Sequence, residues 1–343
     1  MKHVEQSAMP VPDHPEIRDF LYQSGLLPRG YAASLVPLTG GVASDIWKVQ
    51  GPEGTFVVKR ALARLRVAQE WNAPVSRNES EVLWMIEAAK VVPDAVPKIL
   101  AHDPQRGAFA MEYLDPARHP VWKEQLRRGQ VDVGSAAAVG RAIGAIHSNT
   151  ALSPEVANRF ANDKVFHSIR LEPYLEATAR LHPKLAPILM SLSAETLGSR
   201  RTLVHGDVSP KNILMGPKGP VILDAECAWY GEPAFDLAFC LNHLLLKCLV
   251  APKALAALIE SFATLSSAYL AKVSWERAAD LERRAARLLP ALLLARVDGK
   301  SPVEYITAED QKALVRRVAA PMIISPPDTL PEIASSWAEE LQA

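Results

Sequence analysis

Up to about Asp115 the chain consists of short apolar runs broken by glycine and proline turns; beyond it, apolar residues recur at helical spacing. Leu38-Thr39-Gly40-Gly41-Val42-Ala43-Ser44-Asp45-Ile46-Trp47-Lys48-Val49, the turn Gly51-Pro52-Glu53-Gly54 and Thr55-Phe56-Val57-Val58-Lys59 read as three antiparallel strands. Residues 96–100 and 109–113 read as further strands, and residues 16–27 as an amphipathic helix before the sheet. Residues 78–86, apolar from Val82 to Ile86, read as a helix packed on the strands. Farther on, residues 135–148, 255–269 and 277–294 have helical patterns, and Phe239-Cys240-Leu241-Asn242-His243-Leu244-Leu245-Leu246 reads as a packed helix. The fold class expected is α+β: a small antiparallel β lobe with one main helix, residues 1–114, and a larger, mostly helical lobe, residues 115–343. The proline-rich stretches 9–15 and 325–331 read as loops or tails.

Composition narrows the picture. A chain of 343 residues with 49% hydrophobic content can build two lobes sharing a cleft. Lys plus Arg and Asp plus Glu number 38 each, which argues against nucleic-acid or membrane partners. The start lacks a signal-peptide core, and the strongest apolar run, residues 288–295, is interrupted by Pro290, so the expected location is cytoplasmic. Cys227, Cys240 and Cys248 have no zinc-type spacing and read as small core residues with free thiols.

The candidate chemistry is concentrated in Leu203-Val204-His205-Gly206-Asp207-Val208-Ser209-Pro210-Lys211-Asn212-Ile213-Leu214, followed by Val221-Ile222-Leu223-Asp224-Ala225-Glu226. A lone His-Gly-Asp is a common turn. Here it is followed in order by an amide and two carboxylates, which suits phosphoryl transfer, where a protein supplies positioning, charge neutralisation and a weak base. Asp207 suits the catalytic base. Asn212 and Asp224 suit magnesium, a hard cation that takes oxygen ligands, and Glu226 is a candidate further ligand because it lies two positions from Asp224. ATP is the expected phosphoryl donor. Upstream, Gly40 and Gly41 would let backbone amides approach phosphate oxygens, and Lys59 would reach the α- and β-phosphates. Glu79, near the start of the helix at 78–86, is the first candidate to pair with Lys59, with Glu81 the second.

Residues 38 to about 317 resemble the aminoglycoside phosphotransferase and choline kinase superfamily, small-molecule kinases with a protein-kinase-like bilobal fold. The resemblance is carried by the glycine turn, Lys59, Ala110-Met111-Glu112-Tyr113-Leu114, the His205 to Asn212 loop, Asp224, and Gly231-Glu232-Pro233-Ala234-Phe235-Asp236-Leu237-Ala238. It implies that the backbone at Met111, Glu112 and Tyr113 meets adenine and that Asp236 braces the catalytic loop. Within the superfamily, Lys59-Arg60-Ala61-Leu62 and Ala228-Trp229-Tyr230-Gly231 resemble the methylthioribose kinase branch, whereas Ser209-Pro210-Lys211-Asn212 departs from it. The expected partner is a small hydroxylated substrate; a homodimer stays open. The acceptor pocket is expected from inserted helices at 122–128, 166–174 and 296–317, which carry Lys123, Arg127, Arg128, Arg170, Arg296, Arg316 and Arg317. This basic bias disfavours polycationic antibiotics and suits a neutral sugar or an anionic acceptor. Trp122 and Tyr174 are candidates either for stacking on a sugar or for packing.

Overall fold

The computed structural model describes residues 14–38, 44–62 and 77–342. Two compact units emerge, one of Met1–Val82 with Pro97–Leu114 and the other of Leu83–Val96 with Asp115–Ala343.

The first unit holds helix α1 (Pro15–Gln23), strands β1 (Ser34–Pro37), β2 (Ser44–Gly51) and β3 (Gly54–Ala61), the start of helix α2 (Arg77–Ala89), and strands β4 (Ile99–Asp103) and β5 (Ala108–Glu112). The strands form one antiparallel sheet in the order β1-β2-β3-β5-β4. Ile17, Phe20 and Leu21 share one face of α1 at helical spacing and pack with Trp47, Val49, Val58 and Ala110 of the sheet. β3 is the central strand, and its run Phe56 to Lys59 is buried throughout rather than at alternate positions, as expected for a strand covered on both faces.

The second unit opens with α3 (Trp122–Arg127), α4 (Val133–Thr150), α5 (Pro154–Arg159) and α6 (Asp163–Phe166), which leads into a π-helical stretch, His167–Glu176. Helices α7 (Ala177–Leu181) and α8 (Ala186–Gly198) follow. Four short strands, β6 (Thr202–Val204), β7 (Ile213–Gly216), β8 (Gly219–Ile222) and β9 (Trp229–Gly231), pair antiparallel as β6 with β9 and β7 with β8. Helices α9 (Pro233–Cys248), α10 (Leu255–Leu270), α11 (Ala278–Asp298), α12 (Glu309–Ile324) and α13 (Leu330–Gln342) complete it.

Helix α9 is the spine of this unit. All 16 of its residues are buried, its first position is Pro233, and the Glu232 side chain caps it by accepting from the Ala234 N–H. Proline at the first turn leaves no intrahelical hydrogen bond unmade, and a mostly apolar sequence, broken by Asp236, Asn242, His243 and Lys247, lets the helix be enclosed on every side. Helix α4 starts at the cap Asp132, which accepts from Gly134 and Ser135, and packs on α10 through two glycines. A Cβ on Gly140 would lie 2.3 Å from the Leu265 carbonyl oxygen, so only a glycine permits that backbone approach.

Three expectations are corrected. Residues 296–317 are not one helix: α11 ends at Asp298, Gly299 and Pro302 interrupt, and α12 starts at Glu309. The proline-rich stretch near residue 330 gives way to a helix, α13, whose Leu330, Ile333, Ala334 and Trp337 make a buried stripe. A single cut at Asp115 leaves Leu83–Val96 in the first unit, whereas its contacts belong to the second. There Trp84 meets His205 edge-on with ring centroids 4.7 Å apart, and Glu87 pairs with Arg159. No single helix among the described residues is long and apolar enough to cross a membrane; α9 and α10 together reach the length but are bent by 118°.

Gly140→Ala is expected to lower unfolding free energy by about 1–3 kcal/mol, the usual scale of overpacking. Gly198→Ala, where a Cβ meets nothing within 4 Å, should be neutral or slightly stabilising in the same urea titration.

Candidate active site

β6 delivers His205, Gly206 and Asp207 into a buried loop. Gly206 has a φ of 80°, and a Cβ there would lie 2.9 Å from the Cys227 carbonyl oxygen, so conformation and space both require glycine. The loop is tied to α9 by Asp236, which is fully buried. Its Oδ2 accepts from the His205 backbone N–H at 2.7 Å and its Oδ1 from the Gly206 N–H at 2.8 Å. His147 on α4 approaches the same Oδ2 through Nε2 at 3.2 Å, and its Nδ1 lies 2.7 Å from the Tyr269 hydroxyl.

His205 acts as a strut, not as an acid or base. Its Nδ1 accepts from the Asp207 backbone N–H at 3.0 Å, so Nε2 carries the proton and donates to the Leu223 carbonyl at 3.1 Å. Burial pushes the ring's pKa down despite the nearby carboxylates of Asp236, Asp207 and Asp224, which keeps it in this neutral form. The ring therefore joins the Asp207 loop to the strand end that carries Asp224.

Asp207 is 3% exposed. Its Oδ2 faces two cations, Arg170 Nη2 at 2.8 Å and Lys211 Nζ at 3.1 Å. Burial alone would raise its pKa, but the charges of Arg170 and Lys211 outweigh that and hold the carboxyl below the usual carboxylate range. Because both cations engage Oδ2, Oδ1 is left to accept a hydrogen bond from an incoming group. Arg170 is placed by the π-helical stretch, and its guanidinium also donates to the carbonyls of Gly206 and Ile169. A wide helical turn at a functional side chain is a recurring use of π-helix, and Pro173 accounts for this one by withholding an N–H.

Asn212 donates through Nδ2 to the Asp207 carbonyl at 3.1 Å, which turns Oδ1 away as a free acceptor. Its backbone carbonyl accepts from Leu223 N–H, so the loop is stitched to the end of β8. Asp224 has a φ of 67°, a left-handed conformation rare outside glycine and tolerated by aspartate, of the kind that clusters at active sites. Its charge and that of Glu226 both bear on this cluster, Asp224 on Asp207 and Lys211, Glu226 on Arg170. An amide oxygen with carboxylates makes an oxygen-only donor set, which fits a hard divalent cation. Among the described residues no three His, Cys, Asp or Glu side chains form a closed ligand set, so such a cation would complete its shell with substrate oxygens or water.

In the first unit, Lys59 on β3 is 4% exposed and pairs with Glu81 on α2 at 2.7 Å. This corrects the expectation for Glu79, which is exposed. Two residues along a helix are about 200° apart, so Glu79 and Glu81 face opposite ways. Glu81 shares the buried face with Trp84, Met85 and Ala88. Gly40 and Gly41 lie outside the described residues. Met111 and Glu112 end β5, the Glu112 N–H donates to the Lys98 carbonyl at 2.9 Å, and Lys48 Nζ sits 4.4 Å from the centre of the Tyr113 ring. The roles of Arg170 as ion-pair partner and of Lys211 beside Asp207 were not marked by any local sequence signal.

Residues 34–247 match the model of the phosphotransferase enzyme family. The chain belongs to the phosphotransferase enzyme family. A methylthioribose kinase from Escherichia coli is 26% identical over 253 residues, covering 65% of this chain and 59% of that kinase, so the chain spans less than two thirds of that relative's length. Among solved structures, a choline/ethanolamine kinase family protein from Mesorhizobium loti superposes with a TM-score of 0.53 at 17% identity, over 95% of this chain and 98% of the other. An amicoumacin kinase in complex with AMP-PNP and Ca2+ gives 0.56 at 14% identity, over 94% and 99%. These likenesses show the fold: this member of the phosphotransferase family has the α+β, protein-kinase-like architecture expected from its sequence.

Removing the Glu81 charge should matter where removing the Glu79 charge does not. Glu81→Gln is expected to lower stability by about 1–3 kcal/mol, as for a buried charge-assisted hydrogen bond, and Glu79→Gln by under about 0.5 kcal/mol, read from paired denaturation curves.

Proposed function

We propose that this phosphotransferase moves the γ-phosphoryl group of ATP to a hydroxyl of a small molecule. The observation that carries the reading is the state of Asp207: a buried carboxylate with one oxygen held by two cations and the other open. Its lowered pKa makes it a weak base, suited to orienting a hydroxyl and taking its proton late, as the oxygen bonds to phosphorus and the bond from the γ-phosphorus to ADP breaks. Arg170 and Lys211 supply positive charge beside this centre, where negative charge shifts during transfer.

Asn212 Oδ1, Asp224 and Glu226 would hold magnesium, which when bound offsets the charge of the phosphates. Lys59, oriented by its ion pair with Glu81, would hold phosphate oxygens, with Gly40 and Gly41 offering backbone amides and Met111, Glu112 and Tyr113 the adenine contact. The named relatives nominate a methylthioribose-like sugar among the acceptors.

The test is magnesium-dependent ADP release by the purified chain against sugars, amino alcohols, hydroxy acids and aminoglycosides. Acceptor-stimulated release is expected, with Asp207→Asn losing at least about 100-fold in rate, the scale of general-base catalysis, while ATP still binds. Undiminished turnover in Asp207→Asn would remove the role assigned to that carboxylate. Replacing Asp224 by Ala should weaken ATP binding in magnesium far more than in EDTA, measured by calorimetry; equal losses in both would count against the metal assignment.

A further inference from the structure

Resting on this kinase reading, we propose that the second unit carries an anion subsite formed by Lys247, Arg296 and His243, and that the acceptor is a hydroxyl compound bearing a carboxylate or phosphate group. Lys247 lies in the last turn of α9 and is fully buried, yet its Nζ has no hydrogen-bond acceptor among the described residues; it stands over the Tyr305 ring, 3.1 Å from its centre. Arg296 on α11 is 8% exposed. Its Nη1 donates to the Tyr174 hydroxyl at 2.9 Å and to Ser301, while Nε is buried without an acceptor. His243, one turn before Lys247, is 6% exposed; its Nδ1 faces the Tyr305 hydroxyl at 3.4 Å and its Nε2 is buried without a partner.

Three buried nitrogens on basic side chains therefore go unmatched in one neighbourhood. Among the described residues no carboxylate lies within ion-pair distance of Lys247 or Arg296; Glu304, the acid whose charge reaches Lys247, is 61% exposed and pairs with Lys123 at 2.9 Å. A buried cation without a counter-ion is costly, and packing alone would be served better by an apolar side chain. An anionic group would give the Lys247 ammonium and the Arg296 Nε–H an acceptor, and His243, which burial holds neutral, would donate to it in the tautomer that carries its proton on Nε2.

The subsite is also placed for the chemistry. The Arg170 guanidinium that pairs with Asp207 lies 5.9 Å from the Tyr174 ring, and that of Arg296 lies 5.4 Å from the same ring. The Phe239 ring likewise stands between Arg170, at 6.0 Å, and His243, at 5.5 Å. Tyr174 and Phe239 thus each touch both the residue that holds Asp207 and one of the unmatched donors, which places the two groups in one neighbourhood. Burial pushes the Lys247 ammonium down to about 7; Glu304 opposes this and Lys123, Arg127 and Arg296 add to it, with Tyr305 and His243 completing its surroundings. A bound anion would restore its charge.

The experiment measures ADP release with D-glycerate and D-gluconate, with ribose 5-phosphate, and with the neutral acceptors glycerol, ribose and methylthioribose. The variants are Lys247→Met and, as an exposed control, Lys253→Met. At least one anionic acceptor is expected to exceed its neutral counterparts about tenfold or more in kcat/KM. Lys247→Met should raise its KM about tenfold, the scale of one charge-assisted hydrogen bond, with Lys253→Met unchanged. Response to the carboxylates alone or to the phosphate alone identifies the anion. Turnover of neutral acceptors as good as or better than of the anionic ones would overturn the subsite and leave the kinase reading standing. If no acceptor is turned over, the kinase reading fails. Calorimetry with gluconate and with ribose 5-phosphate then decides the subsite: saturable binding lost in Lys247→Met upholds it, and no saturable binding overturns it.

Discussion

The carboxylate of Asp236 is the constraint on which the reactive loop depends. Two adjacent backbone N–H groups, of His205 and Gly206, are buried where no water can satisfy them, and both are taken by this one side chain. An unmatched buried donor costs about 1–3 kcal/mol, so the loop conformation and the Asp236 position specify each other. Asp236 in turn sits in the first turn of α9, where a negative charge complements the helix macrodipole. The helix that forms the core of the second unit thereby fixes the backbone that aims Asp207.

From this anchor the loop is held at successive points by different kinds of bond. Gly206 supplies the backbone turn, the neutral His205 ring links the loop to Leu223, and the Asn212 amide closes back on the Asp207 carbonyl. The polar capacity left over in the loop then includes one oxygen of Asp207, one of Asn212 and the buried Ser209 hydroxyl. Arg170, held to the Gly206 carbonyl as well as to Asp207, couples the charge of the carboxylate to the position of the loop, so electrostatics and geometry cannot be varied independently here.

Elements whose cause is local were legible in the sequence. The β2–β3 hairpin follows from its Gly51 to Gly54 turn and the apolar runs that flank it, α4 and α10 from apolar periodicity, and the loop from 205 to 212 from its residue order. Whatever depends on long-range contact was not. Glu79 and Glu81 are both acidic near a helix start, and only the face buried by tertiary packing chooses between them. The π-helical turn at Arg170 and the ion pair with Asp207 join residues 37 positions apart, which no periodicity encodes. The break between α11 and α12, by contrast, has local signals, Gly299 and Pro302, which the expected helix at 296–317 overran.

That same set of basic residues shows why charge counts mislead where pairing is decisive. Arg316 is matched by Asp298 and Glu309, Arg317 by Glu340, Lys123 by Glu304 and Arg127 by Glu124. These are mostly exposed pairs, each worth on the order of 0–1 kcal/mol and carrying no information about a ligand. Recognition has to come from charge that the protein leaves unmatched in a buried place, because only there is the dielectric low enough for one ion to discriminate strongly between partners. Lys247, at the end of α9, and Arg296 meet that condition, and the paired arginines do not.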